Sequence, residues 1–536
     1  MALIITGGSI VDGTGAKARP GDIRIDGGTI TWVGEGSRDG AEVLDASGKT
    51  VCPGFIDFHS HTDMTLLVNP TAESKLAQGV TLEVCGNCGS SDAPILDPEA
   101  REHARKSFEK MGASFDWGSM GEMLDVLEQA GTGVNFCTFA GHGNIRREVV
   151  GREDRPATPE ELARMRDLVA QCMDEGAVGI STGLIYPPSC YGSTGELVEL
   201  CKPVGQRGGL YSTHMRSESK RLTESVAEAI EIGERSGAAI QISHLKACGA
   251  SNHGKAIRAL EMIEEARGRG VDVSADQYPY IATSTGLGTM IPEWAHSGGS
   301  GALRARLEDS GERQRIVEEI RKSNEPGGWI SDSGGFDSVV ISGVRTDENR
   351  WTEGLTLTEI VSKRTGRDPV EAMLDFLLEE DFGIGMVHFC LSETDVKAVM
   401  RTPYTLFGSD ATARATSGPM GKGKPHPRAF GTFARILAHY VREGGVIPLE
   451  TAIQKMTSLA ADRLGLSNRG RLAPGAAADI VVFDPGTVRD TATFKEPKQL
   501  AEGIAHVLVN GEFALRDSQI TGALHGQVIR GIGARH

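Results

Sequence analysis

The sequence predicts an α/β fold: a (β/α)8 TIM-like barrel with a small β-sandwich domain built from both chain ends and an insertion between strands 7 and 8. Three observations point there. Eight short β-prone segments recur through the middle of the chain, most of them separated by stretches of helical periodicity. Both ends read as strands joined by tight turns. The 536 residues, 39% of them hydrophobic, can bury a core of that size. Aromatics at 5% and 69 glycines fit closely approaching backbone in an α/β protein better than a sandwich alone.

The first fifty residues alternate apolar and polar positions between Gly- and Asp-rich turns, in "ALIITGGSIVDG", "GDIRIDGGTITWVG" and "AEVLDASGKTV". The far end repeats the pattern in "GRLAPGAAADIVVFDP", "GIAHVLVNGEFAL" and "GQVIRG". Residues 1–52 and 470–536 are therefore expected to form one small domain flanking a barrel of residues 53–469. The barrel strands are read at "VCPGFIDFHSH" (51–61), "VTLEVCGNC" (80–88), "VNFCTFAGH" (134–142) and "AVGISTGL" (177–184). They continue at "GLYSTHMR" (209–216), "AAIQISHLK" (238–246), "VDVSADQYPY" (271–280) and "YTLFGSD" (404–410). Helices such as "TPEELARMRDLVAQCMDEG" and "KRLTESVAEAIEIGERSG" separate them. Between strands 7 and 8 the chain runs from 281 to 403 through "GERQRIVEEIRKS" and "PGGWISDSGG", an insertion placed to act as a lid.

The formal charge of −16 argues against nucleic acid or an anionic membrane as partner. The opening "MALIITGGSIVDGTG" lacks the basic and long apolar regions of a secretory leader, and no stretch is long and apolar enough to span a bilayer. A cytoplasmic protein is expected, with a homo-oligomer allowed. Nine scattered cysteines in so long a chain do not resemble a disulfide framework.

In "DFHSHTD", His59 and His61 are two residues apart, so on an extended strand they share a face and can converge on one divalent metal. Alone, His-x-His is as often packing chemistry. Here, however, five of the eight strands finish on a ligand-type or acidic residue: His59 with His61, Cys88, His214, His244 and Asp410. In a barrel those ends meet at one mouth. "CGNCG" also holds Cys85, but no thioredoxin-like unit follows it and no second Cys-x-x-Cys exists to make a zinc knuckle. Cys85 reads as a buried strand thiol, and Cys88 as the one at the tip.

The motifs "PGFIDFHSHTD", "GNCG", "STGLIYPP", "THMR", "ISHLK", "DQYPY", "GSD" and "HPRAFGTF", in this order, resemble the amidohydrolase superfamily, specifically the D-aminoacylase (N-acyl-D-amino-acid deacylase) family. The resemblance runs nearly the full length. It implies a tight zinc site at Cys88, His214 and His244, and a second, weaker metal site at His59 and His61. It implies Asp410 as general base and acid, and Asp410 is counted with these residues as a sixth metal ligand. Many binuclear members of the superfamily bridge their metals with a carboxylated lysine on strand 4, yet "AVGISTGL" has none; the family offers Cys88 as the bridge.

Zinc with an open position lowers its water's pKa to about 7, so the family reading is metal-assisted hydrolysis of an N-acyl-D-amino acid by metal-bound hydroxide. The substrate carboxylate is expected at Lys246, Arg428 and a tyrosine of "DQYPY", either Tyr278 or Tyr280. The resemblance implies that members specific for acidic D-amino acids use an additional arginine after "DQYPY"; "IATSTGLGTMIPEWAH" (281–296) has no Lys or Arg, which favours a neutral or apolar amino-acid side chain, while Arg414, Lys422 and Lys424 in the 411–428 loop count against it. His142 is left open between structural and functional, and His103, His253, His439 and His536 read as surface. The alternatives are a cyclic-amide hydrolase of hydantoinase or dihydroorotase type, and a non-catalytic binding protein that kept the fold. The first should show the missing lysine; the second should have lost ligands.

Overall fold

The computed structural model describes residues 2–34, 36, 40–325, 328–364 and 368–534. His536 and the start of the Gly-rich stretch at 326–335 therefore fall outside the described residues.

Eight parallel strands close a barrel in chain order: Phe55–Asp57, Val80–Cys85, Asn135–Thr138 continued by Ala140–Gly141, Gly179–Gly183, Leu210–His214, Ala239–Ile242, Val273–Gln277 and Thr405–Phe407. The seam between the last and first strands is closed by Phe58 N–H donating to Phe407 O (3.2 Å), Asp410 N–H donating to His59 O (2.7 Å) and a parallel bridge between Ser60 and Ala411. The helices start and stop where local chemistry says they should. Pro159–Glu175 opens on a capping box between Thr158 and Glu161 and buries Met165, Leu168, Val169, Cys172 and Met173, one stripe at helical spacing. Leu222–Ser236 ends where Gly237 turns left-handed at φ 77°.

Both chain ends enter one nine-stranded sheet, in which Ile480–Phe483 pairs with Thr50–Pro53 and thereby joins the two termini. Leu3, Ile5, Ile23, Ile25 and Ile30 from one end share a core with Ile480, Val482 and Leu508 from the other. The first strand changes partners partway: a bulge between Ile5 and Gly8, with Gly7 at φ 73°, lets it pair with Glu42–Asp45 before the bulge and Thr50–Pro53 after it.

Two segments lie elsewhere than the sequence reading placed them. The end of the chain, beyond about 521, leaves the small domain and runs along the barrel: Gln527 O accepts from Phe136 N–H, and Ile529 N–H donates to Phe136 O. The N-terminal end of the third barrel strand offers unpaired backbone groups there, and the tail satisfies them. Within 281–403, the helix Glu393–Arg401 belongs to the barrel, because Val396, Val399 and Met400 bury in the barrel's core. What remains, to about 391, has a separate core including Ile316, Ile320, Ile341, Met373 and Phe376. Its three-stranded antiparallel sheet orders Thr283–Gly286, Gly385–His388 and Val339–Gly343. Among the described residues, no helix is long and apolar enough to cross a membrane.

Candidate metal centre and active site

The C-terminal strand ends bring all six sequence-predicted ligand residues together. One ligand atom from each of His59, Cys88, His244 and Asp410 lies within 4.8 Å of the others. Cys88 Sγ is 3.4 Å from His59 Nε2, 3.3 Å from His244 Nε2 and 3.7 Å from His214 Nδ1. His61 Nε2 is 2.9 Å from Asp410 Oδ1, which is itself 3.6 Å from His59 Nε2. His59 and His61 lie just beyond their strand, yet the Ser60–Ala411 bridge keeps the chain extended there, so the two rings still meet at 5.3 Å.

The backbone is bent to make this convergence. Cys88, His244 and Asp410 all have left-handed φ values, 53°, 36° and 51°. Such conformations cost a non-glycine residue about 1–3 kcal/mol each and persist where the surroundings enforce them. Glycines of the quoted motifs make room: a Cβ on Gly183 would strike the Cys88 carbonyl oxygen, and one on Gly408 would strike His59.

Behind the cluster stand two carboxylates that the sequence reading missed. Asp276 binds His59 Nδ1 at 3.0 Å and accepts from His244 N–H at 2.7 Å. Glu218 lies 2.9 Å from His244 Nδ1 and 3.5 Å from His214 Nε2. Asp276 stands in the quoted "DQYPY", and Glu218 is four residues past His214; each was visible as a residue, but nothing local said which way it points. Burial pushes the Glu218 carboxyl up, yet His214, Lys246 and His244 outweigh it and bring it down to about 2. Burial likewise raises the Cys88 thiol, and His244 and His59 overcome it, holding the thiol well below its ordinary range. Asp410, raised by burial, is pulled well below the carboxylate range by Arg428, His244 and His61. The site therefore holds anionic sulfur and oxygen among imidazoles.

That donor set fits a divalent transition metal: nitrogen and sulfur ligands converge, and carboxylates hold outer nitrogens of His59 and His244, as metal-ligating imidazoles are commonly held. His214 Nε2 is buried without a hydrogen bond. Cys85, by contrast, is fully buried, accepts from Asp63 N–H at 3.4 Å and has its thiol raised by burial.

A cavity of about 1720 Å³ opens over the cluster, lined by the strand-end residues and by the insertion. Lys246 Nζ is 2.7 Å from both Glu218 Oε1 and His244 Nδ1. Arg428 Nη1 lies 2.8 Å from Asp410 Oδ2, and its guanidinium faces the Tyr278 ring at 4.7 Å. Both cations line the cavity already ion-paired. Tyr278 lines it too, with its hydroxyl buried and unpartnered. Tyr280 does not line it: its ring packs against His426 and under Arg435. The alternation fails because Tyr280 N–H bonds back to Tyr278 O at 3.1 Å, a turn that follows the strand end at Gln277.

Arg414, Lys422 and Lys424 are absent from the cavity lining; Arg414 donates to Lys422 O, and Lys424 packs near Gly354. His142 is fully buried, with Ser189 Oγ at 2.7 Å and Glu196 Oε1 at 3.0 Å, and so braces the loop that carries Tyr186 into the cavity. Tyr186, whose hydroxyl meets Thr285 Oγ1 of the insertion at 3.0 Å, was not singled out in the sequence.

Comparison with known proteins agrees with this geometry. The family model described as "Amidohydrolase family" matches residues 42–193 and 223–514. A D-aminoacylase of Alcaligenes xylosoxydans xylosoxydans is 36% identical over 98% of this chain and 97% of its own. An N-acyl-D-aspartate deacylase of the same organism is 35% identical, over 98% and 94%. The crystal structure of the N-acyl-D-glutamate deacylase of Bordetella bronchiseptica, with zinc and a phosphonate mimic of the tetrahedral intermediate, superposes with a TM-score of 0.82 at 33% identity, covering 99% of both chains. Fold, strand-end cluster and full-length similarity agree: this chain belongs to the amidohydrolase family, in its D-aminoacylase branch.

Proposed function

We propose that this protein hydrolyses the amide bond of N-acyl-D-amino acids, releasing a carboxylate and a free D-amino acid. The observation that carries the reading is the convergence of His59, His61, Cys88, His214, His244 and Asp410 under a cavity that also presents Arg428, Lys246 and Tyr278. Cys88, His214 and His244 would hold the tighter zinc, and His59 and His61, with Cys88 and Asp410, a weaker second ion. When bound, zinc supplies Lewis-acid polarisation of the scissile carbonyl and a water of lowered pKa. Asp410 takes the proton of the attacking water and returns it to the departing nitrogen. Its ion pair with Arg428 keeps it ionised, as a base must be. Asp276 and Glu218 fix the imidazole orientations. Asp276→Asn is expected to lower zinc affinity or activity by about 10–100-fold, measured by metal titration and initial rates.

The D configuration is carried by the relatives. The amino-acid side chain is assigned to the insertion wall of Thr285, Gly286, Thr289, Met290, Ile291 and Met386, which brings no cation to the cavity. Neutral and apolar D-amino acids are the substrates this wall suits. Other cations line the cavity from outside the insertion, among them Arg147 on the helix His142–Val149, Arg152, whose backbone carbonyl accepts from Gly298 N–H of the insertion at 3.0 Å, and Arg216, engaged by Glu228 at 3.0 Å. The insertion acts as the cover of the cavity, tied down by Tyr186 to Thr285 and Tyr191 to Glu293 O.

Paired N-acetyl-D- and N-acetyl-L-amino acids, assayed with metal analysis, test the whole reading. Hydrolysis confined to D-substrates with neutral side chains is expected; activity only on L-substrates or on cyclic amides overturns it. Arg428→Met tests the carboxylate site. Removing Arg428 also frees Asp410, so kcat should fall for every substrate. The carboxylate contact is isolated by comparing an N-acyl amino acid with its neutral methyl ester. The acid should lose about ten- to a hundred-fold more specificity constant than the ester, the equivalent of one charge-assisted contact. Lys424→Met, outside the cavity, should show no such difference.

A further inference from the structure

The reacting side chains His59, His61 and Asp410 sit on the barrel's seam, where the first and last strands are only three residues long and few backbone bonds join them. Beneath that seam lies a cation the mechanism does not use. Lys75, on the four-residue helix Glu73–Leu76, is completely buried. Its ammonium lies 2.6 Å from Asp57 Oδ2, 2.8 Å from Glu83 Oε1, 3.2 Å from Ser60 Oγ, 2.9 Å from Ser409 Oγ and 2.9 Å from Ala411 O.

These partners are the neighbours of the reacting residues. Ser60 separates His59 from His61; Ser409 and Ala411 bracket Asp410. Asp57 reinforces the link by accepting from Ser409 N–H at 2.8 Å and Ser409 Oγ at 2.6 Å. Glu83 does the same on the other side, accepting from Ser60 Oγ at 2.7 Å and Thr62 Oγ1 at 2.6 Å. An ammonium has three protons and no acceptor, so these oxygens can share it only while both strand ends hold station around it. Asp410 needs that support, because its left-handed backbone at φ 51° does not hold itself.

We infer that Lys75 is a positioning residue: its ammonium locks the first strand to the eighth and thereby sets the Asp410 carboxylate against His61 and His59. The inference rests on the proposed role of Asp410 as proton carrier. A purely structural ion cluster would affect folding without singling out the chemical step.

Lys75→Met alone would leave Asp57 and Glu83 buried without their cation and is prone to unfold. The test is therefore Lys75→Met combined with Glu83→Gln. One cation and two carboxylates then become one carboxylate, and the net charge of the cluster is unchanged. The double variant is expected to melt cooperatively, to bind the wild-type amount of zinc and to keep KM for N-acetyl-D-leucine within about threefold, while kcat falls roughly 10–100-fold from a displaced catalytic group. Affinity for methylphosphonyl-D-leucine, a mimic of the tetrahedral intermediate, should fall by the same factor. A folded, zinc-replete double variant with kcat within about twofold of wild type overturns the proposal, and so does a loss of kcat that only follows a loss of zinc. Should the double variant not fold, Lys75→Arg, which keeps the charge but not the ammonium's shape, must show the same kcat-specific loss, and wild-type kcat there overturns it. Wild-type protein inactive on N-acetyl-D-leucine would instead sink the deacylase reading. The positioning proposal would then be decided by the crystal structure of the double variant, in which Asp410 Oδ1 is expected to move out of hydrogen-bond reach of His61, and an unmoved Asp410 refutes it.

Discussion

Cys88→Ala is expected to abolish tight zinc binding and to reduce hydrolysis by more than the roughly 10–100-fold seen when merely outer-shell partners of a metal are removed. Cys88 Sγ is the atom that three imidazoles share, from His59, His214 and His244. Its thiol is held low by His244 and His59 against the opposing effect of burial, so it stands ready as a thiolate. Alanine leaves those imidazoles facing one another without the sulfur they share. Cys85→Ala is the internal control. That thiol is buried among barrel residues and raised by burial, so its loss should cost about 1 kcal/mol of stability and leave metal and turnover close to wild type. Elemental analysis and initial rates on both variants decide the matter; unchanged zinc in Cys88→Ala would refute the ligand role.

Asp410→Asn should fold and retain the tight zinc while kcat falls by about 10²–10⁴-fold, the usual contribution of a general acid–base group. The amide has the shape of the carboxylate but can neither take the water proton nor return it. Metal should stay because the tighter site proposed above is held by Cys88, His214 and His244 without Asp410. Arg428 loses its ionic partner at 2.8 Å, so a drop in melting temperature is also expected. A melting-temperature change with wild-type turnover at saturating metal would show Asp410 to be a structural aspartate.

The two variants also separate kinds of information. Cys88 and Asp410 could be chosen from the linear chain, because each stands where an apolar β-prone run stops, and parallel barrel strands deliver such ends to one mouth. Local chemistry sufficed for all eight barrel strands and for the two helices quoted between them. Thr158 with Glu161 starts a helix, Gly237 ends one, and apolar spacing gives the buried face of each.

What the sequence determined by itself was thus the barrel, the pairing of the two β-rich ends and the six residues that cluster at the mouth, since periodicity, caps and strand direction are encoded within a few residues of one another. Other features needed the closed structure. Tyr278 rather than Tyr280 faces the cavity because a turn after Gln277 breaks the alternation that would have given both the same face. Asp276 and Glu218 became visible as partners of the histidines only when strands far apart in the chain came side by side. The helix Glu393–Arg401 and the tail beyond 521 are composed like their neighbours in sequence, yet the barrel claims them, because its core and its unpaired strand edge were the surfaces left to cover. Lys75 is the extreme case: nothing in "AESKLAQG" distinguishes it from a solvated lysine, and only closing the seam surrounds its charge with Asp57, Glu83, Ser60, Ser409 and Ala411. A residue type announces what chemistry is available locally; which partner it meets across the barrel depends on contacts hundreds of residues apart, and those exist only in the folded chain.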